Sequence, residues 1–97
     1  MSVIMEFAIF PMDKGEHVSQ YVRKVVEMTD TLPYNSQLTP MGTIVECETM
    51  DQCLNVISKA NVLLEQDAER IYCTATFDNK PGKINQMEHK MKAVRDK

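Results

Sequence analysis

Val3, Met5, Phe7 and Ile9 alternate with Ile4, Glu6, Ala8 and Phe10 in an unbroken period-two run that stops at Pro11. This pattern sends successive side chains to opposite faces of a strand, and the proline ends it because it has no N–H for further ladder pairing. A different period follows a short loop, Met12-Asp13-Lys14-Gly15. Val18, Val22, Val25, Val26 and Thr29 recur at steps of three and four, which predicts a helix ending near Leu32, just before Pro33.

The segment Leu38-Thr39-Pro40-Met41-Gly42-Thr43-Ile44-Val45-Glu46 then places a tight reversal inside an apolar run. Pro40 suits the second position of a type I turn and Gly42 the fourth, where glycine can also take φ > 0 as a G1 bulge. A hairpin follows, roughly Asn35 to Thr39 paired with Thr43 to Glu48. A carboxylate on a strand with apolar neighbours is costly to bury alone, so Glu46 sits at a wet strand end or is committed to a partner. Thr49 and Gln52 form a capping-box pattern, after which Cys53, Leu54, Ile57, Ala60, Asn61 and Leu64 supply one face of a second helix. From Arg70 to Asp78, Ile71, Cys73, Ala75 and Phe77 alternate with Tyr72, Thr74, Thr76 and Asp78, a strand with one apolar and one mostly polar face. Beyond Asn79-Lys80-Pro81-Gly82, the steps between Ile84, Met87, Met91 and Val94 predict a docked terminal helix.

The order βαββαβ plus a helix predicts an α+β, ferredoxin-like plan, with an antiparallel sheet and two helices on one face, in a single domain spanning residues 1–97. If Ile71, Cys73, Ala75 and Phe77 meet the helices, the open face carries Tyr72, Thr74 and Thr76 beside Ile4, Glu6, Ala8 and Phe10. Such a half-apolar face binds a flat ligand or stacks on another sheet.

Composition narrows the function classes. With 43% hydrophobic and 26% charged residues, the 97-residue chain is an ordinary globular one. A net charge of −3 without a basic cluster argues against nucleic acid. The start lacks a basic n-region, Glu6 interrupts its apolar run, and no stretch approaches the ~20 apolar residues of a membrane span. A cytoplasmic protein without membrane attachment is expected. Cys47, Cys53 and Cys73 contain no C-x-x-C and fit reduced thiols. His17 and His89 have no partner at ligand spacing, so no metal site is expected, and both lie outside the strands, which gives no catalytic constellation.

The first strand ending in Pro11, Val18-Ser19-Gln20-Tyr21-Val22 opening the first helix, Pro40-Met41-Gly42-Thr43-Ile44-Val45-Glu46, and Arg70-Ile71 opening the fourth strand together resemble the small cytoplasmic thiamine-binding protein family. The most specific piece is Pro-Met-Gly-Thr-x-x-Glu, in register with the other landmarks. The resemblance covers essentially the whole chain. It implies a ferredoxin-like protomer, sheets stacked face to face in dimers, tetramers from pairs of dimers, and non-catalytic binding of thiamine or its hydroxymethylpyrimidine part. Thiamine would then be a bound ligand and not a catalytic cofactor. Two positions depart from the family pattern, where Cys47 follows the motif glutamate in place of the frequent glycine and Glu6 occupies the middle of the first strand.

The ligand is expected at the open sheet face near a dimer interface, and the residues can be matched to it on chemical grounds. An aminopyrimidine offers an NH₂ donor and ring-nitrogen acceptors, which call for a carboxylate or carbonyl beside hydroxyl donors. Glu6, Glu46, Thr43, Thr74 and Thr76 are of those types. The thiazolium cation favours an aromatic face or a carboxylate, making Phe10 and Tyr72 candidates. Strict alternation puts Thr43 and Glu46 on opposite faces, so both reach one pocket only through a bulge near Gly42 or a change at the strand end. Two alternatives stand beside this one: a structural or regulatory oligomer without ligand, and a small dimeric ferredoxin-like enzyme such as a monooxygenase or isomerase.

Overall fold

The first alternating run becomes a ten-residue strand, β1 (Ser2–Pro11), in the computed structural model, which describes residues 2–95. A single 3₁₀ turn, Gly15–His17, leads into α1 (Val18–Asp30). This helix stops two residues short of the expected Leu32. The N–H groups of Thr31 and Leu32 bond to the carbonyls of Met28 and Thr29, both at 3.1 Å, so the last turn tightens to i→i−3 spacing ahead of Pro33. There follow β2 (Asn35–Thr39), β3 (Gly42–Cys47), α2 (Met50–Glu65), β4 (Ile71–Lys80) and α3 (Gln86–Arg95).

The start of α2 is the capping box that the sequence predicts. The Thr49 hydroxyl accepts from the Gln52 N–H at 3.2 Å, and the Gln52 side-chain oxygen accepts from the N–H groups of Thr49 at 3.3 Å and Glu48 at 2.9 Å. The strands form one antiparallel sheet in the order β2-β3-β1-β4. Two crossing helices on one face complete the ferredoxin-like arrangement.

The period-two reading of β1 holds residue by residue. Val3, Met5, Phe7 and Ile9 are buried against Val25 and Thr29 of α1 and against Cys53, Val56, Ala60 and Leu64 of α2, together with Val45 and Cys47 of β3. Leu54, expected on the apolar face of α2, is exposed, and Val56 takes the core position. The core stripe steps 53, 56, 60, 64, so Leu54 falls just outside it. On β4 the phase is as expected, yet only Ile71 and Ala75 are half-buried while Cys73 and Phe77 are exposed. As the outer strand, β4 extends past the cover of α1 and α2.

The terminal helix lies on the opposite face. Its Met87 is buried, and its Lys90 pairs with Asp78, which sits opposite Ile4 on the side away from α1 and α2. It covers the end of the sheet near Ser2, Ile4 and Glu46. The remainder of that face is left open.

The thiols follow the core. Burial pushes Cys47 up to about 12, with the Cys53 thiol beside it adding to the rise, and burial raises Cys53 as well. A thiol raised in this way stays protonated near neutral pH, and the thiolate is the reactive form. Burial raises Cys73 too, but it alone of the three is exposed, so access and not acidity sets it apart. We expect about one of the three thiols to react readily with an aromatic disulfide reagent in the native protein, and the other two only after denaturation. Equal rates for all three in the folded protein would contradict this packing.

Candidate ligand-binding site

The strand register sorts the sequence-predicted residues into three places. Even-numbered β1 residues face away from α1 and α2, and their cross-strand partners share that face. Glu6 lies between Ile44 and Thr76, Ala8 is opposite Thr74, and Phe10 is opposite Tyr72. The Phe10 and Tyr72 rings approach to 5.7 Å between centroids at a tilt of 38°, a favourable aromatic geometry. Glu6, Phe10, Tyr72, Thr74 and Thr76 therefore come together on the open face.

Glu46 is on the same face but opposite Ile4, at the far end of the sheet. Its carboxylate accepts from the Ser2 hydroxyl and from the main-chain N–H groups of Gln86 and, at 3.3 Å, Met87. These are the first two residues of α3, so Glu46 caps that helix and satisfies N–H groups that have no partner within it. Of the two fates open to this carboxylate, the structure shows commitment to a partner. A cavity of about 540 Å³ adjoins it, lined by Ser2, Tyr34, Asn35, Glu48, Gln52 and Ile84 among others.

Thr43 lies on the other side of the sheet. It pairs with Phe7, faces the helices and is 7% exposed. No bulge alters the phase, because the hairpin register runs unbroken from Asn35↔Glu46 to Thr39↔Gly42. Thr43 and Glu46 thus occupy different sites. The turn is held by the Thr39 hydroxyl, which accepts from the N–H groups of Met41 at 3.2 Å and Gly42 at 3.1 Å and donates to the Gly42 carbonyl at 2.8 Å. The expected bulge is absent for this reason: the threonine side chain closes a two-residue loop.

Thr43 opens onto a cavity of about 250 Å³ beneath the hairpin turn. The strand lengths create it. Pairing of β1 with β3 ends at Phe7↔Thr43, while β1 continues to Pro11 beside β4 alone. The gap left next to Ala8, Ile9 and Phe10 is floored by Val22, Val25 and Val26 of α1 and walled by Leu38, Pro40 and Met41. An apolar cavity of about 150 Å³ accommodates benzene, so this one admits a substituted six-membered ring. The α1 valines were visible in the sequence only as helix core. Leu38 and Met41, 61% and 82% exposed, were the available signal, as apolar residues flanking a turn that the core does not use.

Among the described residues no group of three or more His, Cys, Asp and Glu is arranged to hold a metal ion. No helix among them is long and apolar enough to cross a membrane.

Fold and site define a ferredoxin-like α+β domain with a small, mostly apolar ring-sized cavity at the end of its sheet. The chain belongs to the thiamine-binding protein family, whose profile matches residues 5–95. It is 30% identical over 92 residues to the UPF0045 protein of Methanocaldococcus jannaschii, a match covering 95% of this chain and 91% of the relative. A crystal structure of the protein from that organism superimposes with a TM-score of 0.86 at 29% identity, covering 99% of this chain and 98% of that one. The fold is also shared with a Thermotoga maritima protein provisionally described as acting in thiamine biosynthesis or salvage, with a TM-score of 0.82, 20% identity and coverage of 96% and 99%.

Proposed function

We propose that the protein binds thiamine, or its hydroxymethylpyrimidine part, without catalysis, with the pyrimidine in the cavity beneath the β2–β3 turn. The observation that carries this is Thr43: it is 7% exposed and its side chain lines a ring-sized, mostly apolar cavity. Phe10 lines the same cavity and also touches Tyr72 on the open face. A two-ring ligand can therefore run from the cavity to the open face, where the thiazolium cation meets the aromatic pair and the Glu6 and Thr74 side chains. Family membership supports this ligand class. His17 and His89 are exposed and do not line the cavity, which favours binding over proton-transfer chemistry.

The same reading includes self-association through the open sheet face, at least as a dimer and in pairs as a tetramer. Tyr72 is 51% exposed on that face, and Met91 and Val94 leave apolar surface on the adjoining helix. An exposed patch of this kind favours a second copy of the chain. Sedimentation is expected to show an oligomer at micromolar concentration.

Calorimetry with thiamine and with hydroxymethylpyrimidine tests the ligand. Thr43→Val keeps the shape and removes the hydroxyl, so binding is expected to weaken by about 0.5–1.5 kcal/mol. No binding by the wild type at millimolar thiamine would leave the oligomer without ligand as the better account.

A further inference from the structure

We propose that the main-chain N–H and C=O of Ile9 read the aminopyrimidine edge, with the ring nitrogen accepting from the N–H and the exocyclic amine donating to the C=O. This rests on the thiamine-type ligand proposed above and assigns the groups that distinguish it. Successive residues of a strand direct their N–H and C=O groups alternately to the two neighbouring strands. Two observations give the phase along β1. The Phe7 carbonyl points at β3, lying where a Cβ on Gly42 would be only 2.7 Å away. On the other side, the Met12 N–H donates to the Arg70 carbonyl at 2.7 Å, one step beyond the end of β4. Odd residues therefore point toward β3 and even residues toward β4.

Ile9 is odd, and β3 has ended before reaching it. Its register partner would be Met41, but pairing stops at Phe7↔Thr43, and the Met41 N–H bonds instead to the Thr39 hydroxyl. With the even residues bonded to β4, the Ile9 N–H and C=O have no strand beside them, and no turn or loop bond among the described residues reaches them. Ile9 is only 4% exposed and lines the cavity. A buried, unpaired donor and acceptor on the same residue is unusual, since each such group costs about 1–3 kcal/mol when left unsatisfied. Both groups point to the side of the strand that the cavity occupies. Side by side on an extended residue, they match a heterocycle that presents an acceptor nitrogen next to an NH₂ donor, as an aminopyrimidine does. The heterocycle takes the place of the missing residue of a neighbouring strand.

The test uses the intact protein, thiamine, and oxythiamine, in which a ring N–H and a carbonyl replace the ring nitrogen and the amine. That exchange sets donor against donor and acceptor against acceptor at Ile9. Oxythiamine is expected to bind at least about tenfold more weakly than thiamine. In amide-resolved hydrogen exchange, thiamine is expected to slow the Ile9 amide markedly. The discrimination should persist in Glu6→Gln and Glu46→Gln, which separates main-chain from carboxylate recognition. Thiamine binding with an unprotected Ile9 amide, or with discrimination abolished in either carboxylate variant, would overturn the assignment and leave the ligand class standing. Absence of thiamine binding altogether would overturn both.

Discussion

Gly42→Val is expected to destabilise the protein by about 1–3 kcal/mol, the range for forcing extra atoms into a packed site, and to abolish ligand binding. A Cβ at this position would lie 2.7 Å from the Phe7 carbonyl oxygen and 3.3 Å from its carbon. Both are main-chain atoms of β1, so relief requires a shift of the hairpin against the central strand. That shift strains the Thr43↔Phe7 pair and moves the wall of the cavity. This close approach adds to the positive φ anticipated in the sequence. Gly42 stands at φ 159°, a backbone conformation that L side chains rarely adopt, so conformation and close strand approach both demand glycine. Alanine already carries the offending atom, so Gly42→Ala should lose stability as well. Urea unfolding of both variants measures it, and an alanine variant as stable as the wild type would show that the approach is not tight.

Glu46→Gln is expected to cost about 1.5–3 kcal/mol, the range for hydrogen bonds to a charged group, with the loss concentrated in α3. The carboxylate gathers the Ser2 hydroxyl and the Gln86 and Met87 N–H groups. An amide in its place keeps one acceptor oxygen, loses the charge that complements the helix N-terminus, and turns an NH₂ toward other donors. Hydrogen exchange should speed up across Gln86–Arg95 while the β1, β3 and α2 amides change little. Thiamine affinity should hold, because Glu46 stands opposite Ile4 and away from the cavity under the turn. Lost affinity with α3 still protected would return Glu46 to the ligand site.

The two variants separate roles that one motif joins. Within Pro-Met-Gly-Thr-x-x-Glu, the glycine permits close strand approach, the threonine faces the cavity, and the glutamate holds a distant helix. Three residues of spacing along a strand puts Thr43 and Glu46 on opposite faces, which the alternation alone required.

Much of the fold was legible in the sequence because its signals are local. The period-two run of β1, the Pro11 stop, the Thr49/Gln52 box and the two-residue Pro40-Met41 loop each depend on residues a few positions apart, and each is found where the pattern placed it. The grouping of Glu6, Phe10, Tyr72, Thr74 and Thr76 on one face also follows from alternation once β1 and β4 pair. Other features rest on contacts between distant parts of the chain. That α3 crosses to the open face and takes Glu46 as its cap joins residues about forty positions apart, and nothing in the local spacing of either segment encodes it. The cavity and the unpaired main chain of Ile9 arise from a difference in strand length, since β1 outruns β3 by several residues. Apolar pattern is set by neighbours along the chain and therefore determined the faces of strands and helices. Where a strand loses its partner is set by the packing of the whole sheet, and only the tertiary structure decided it.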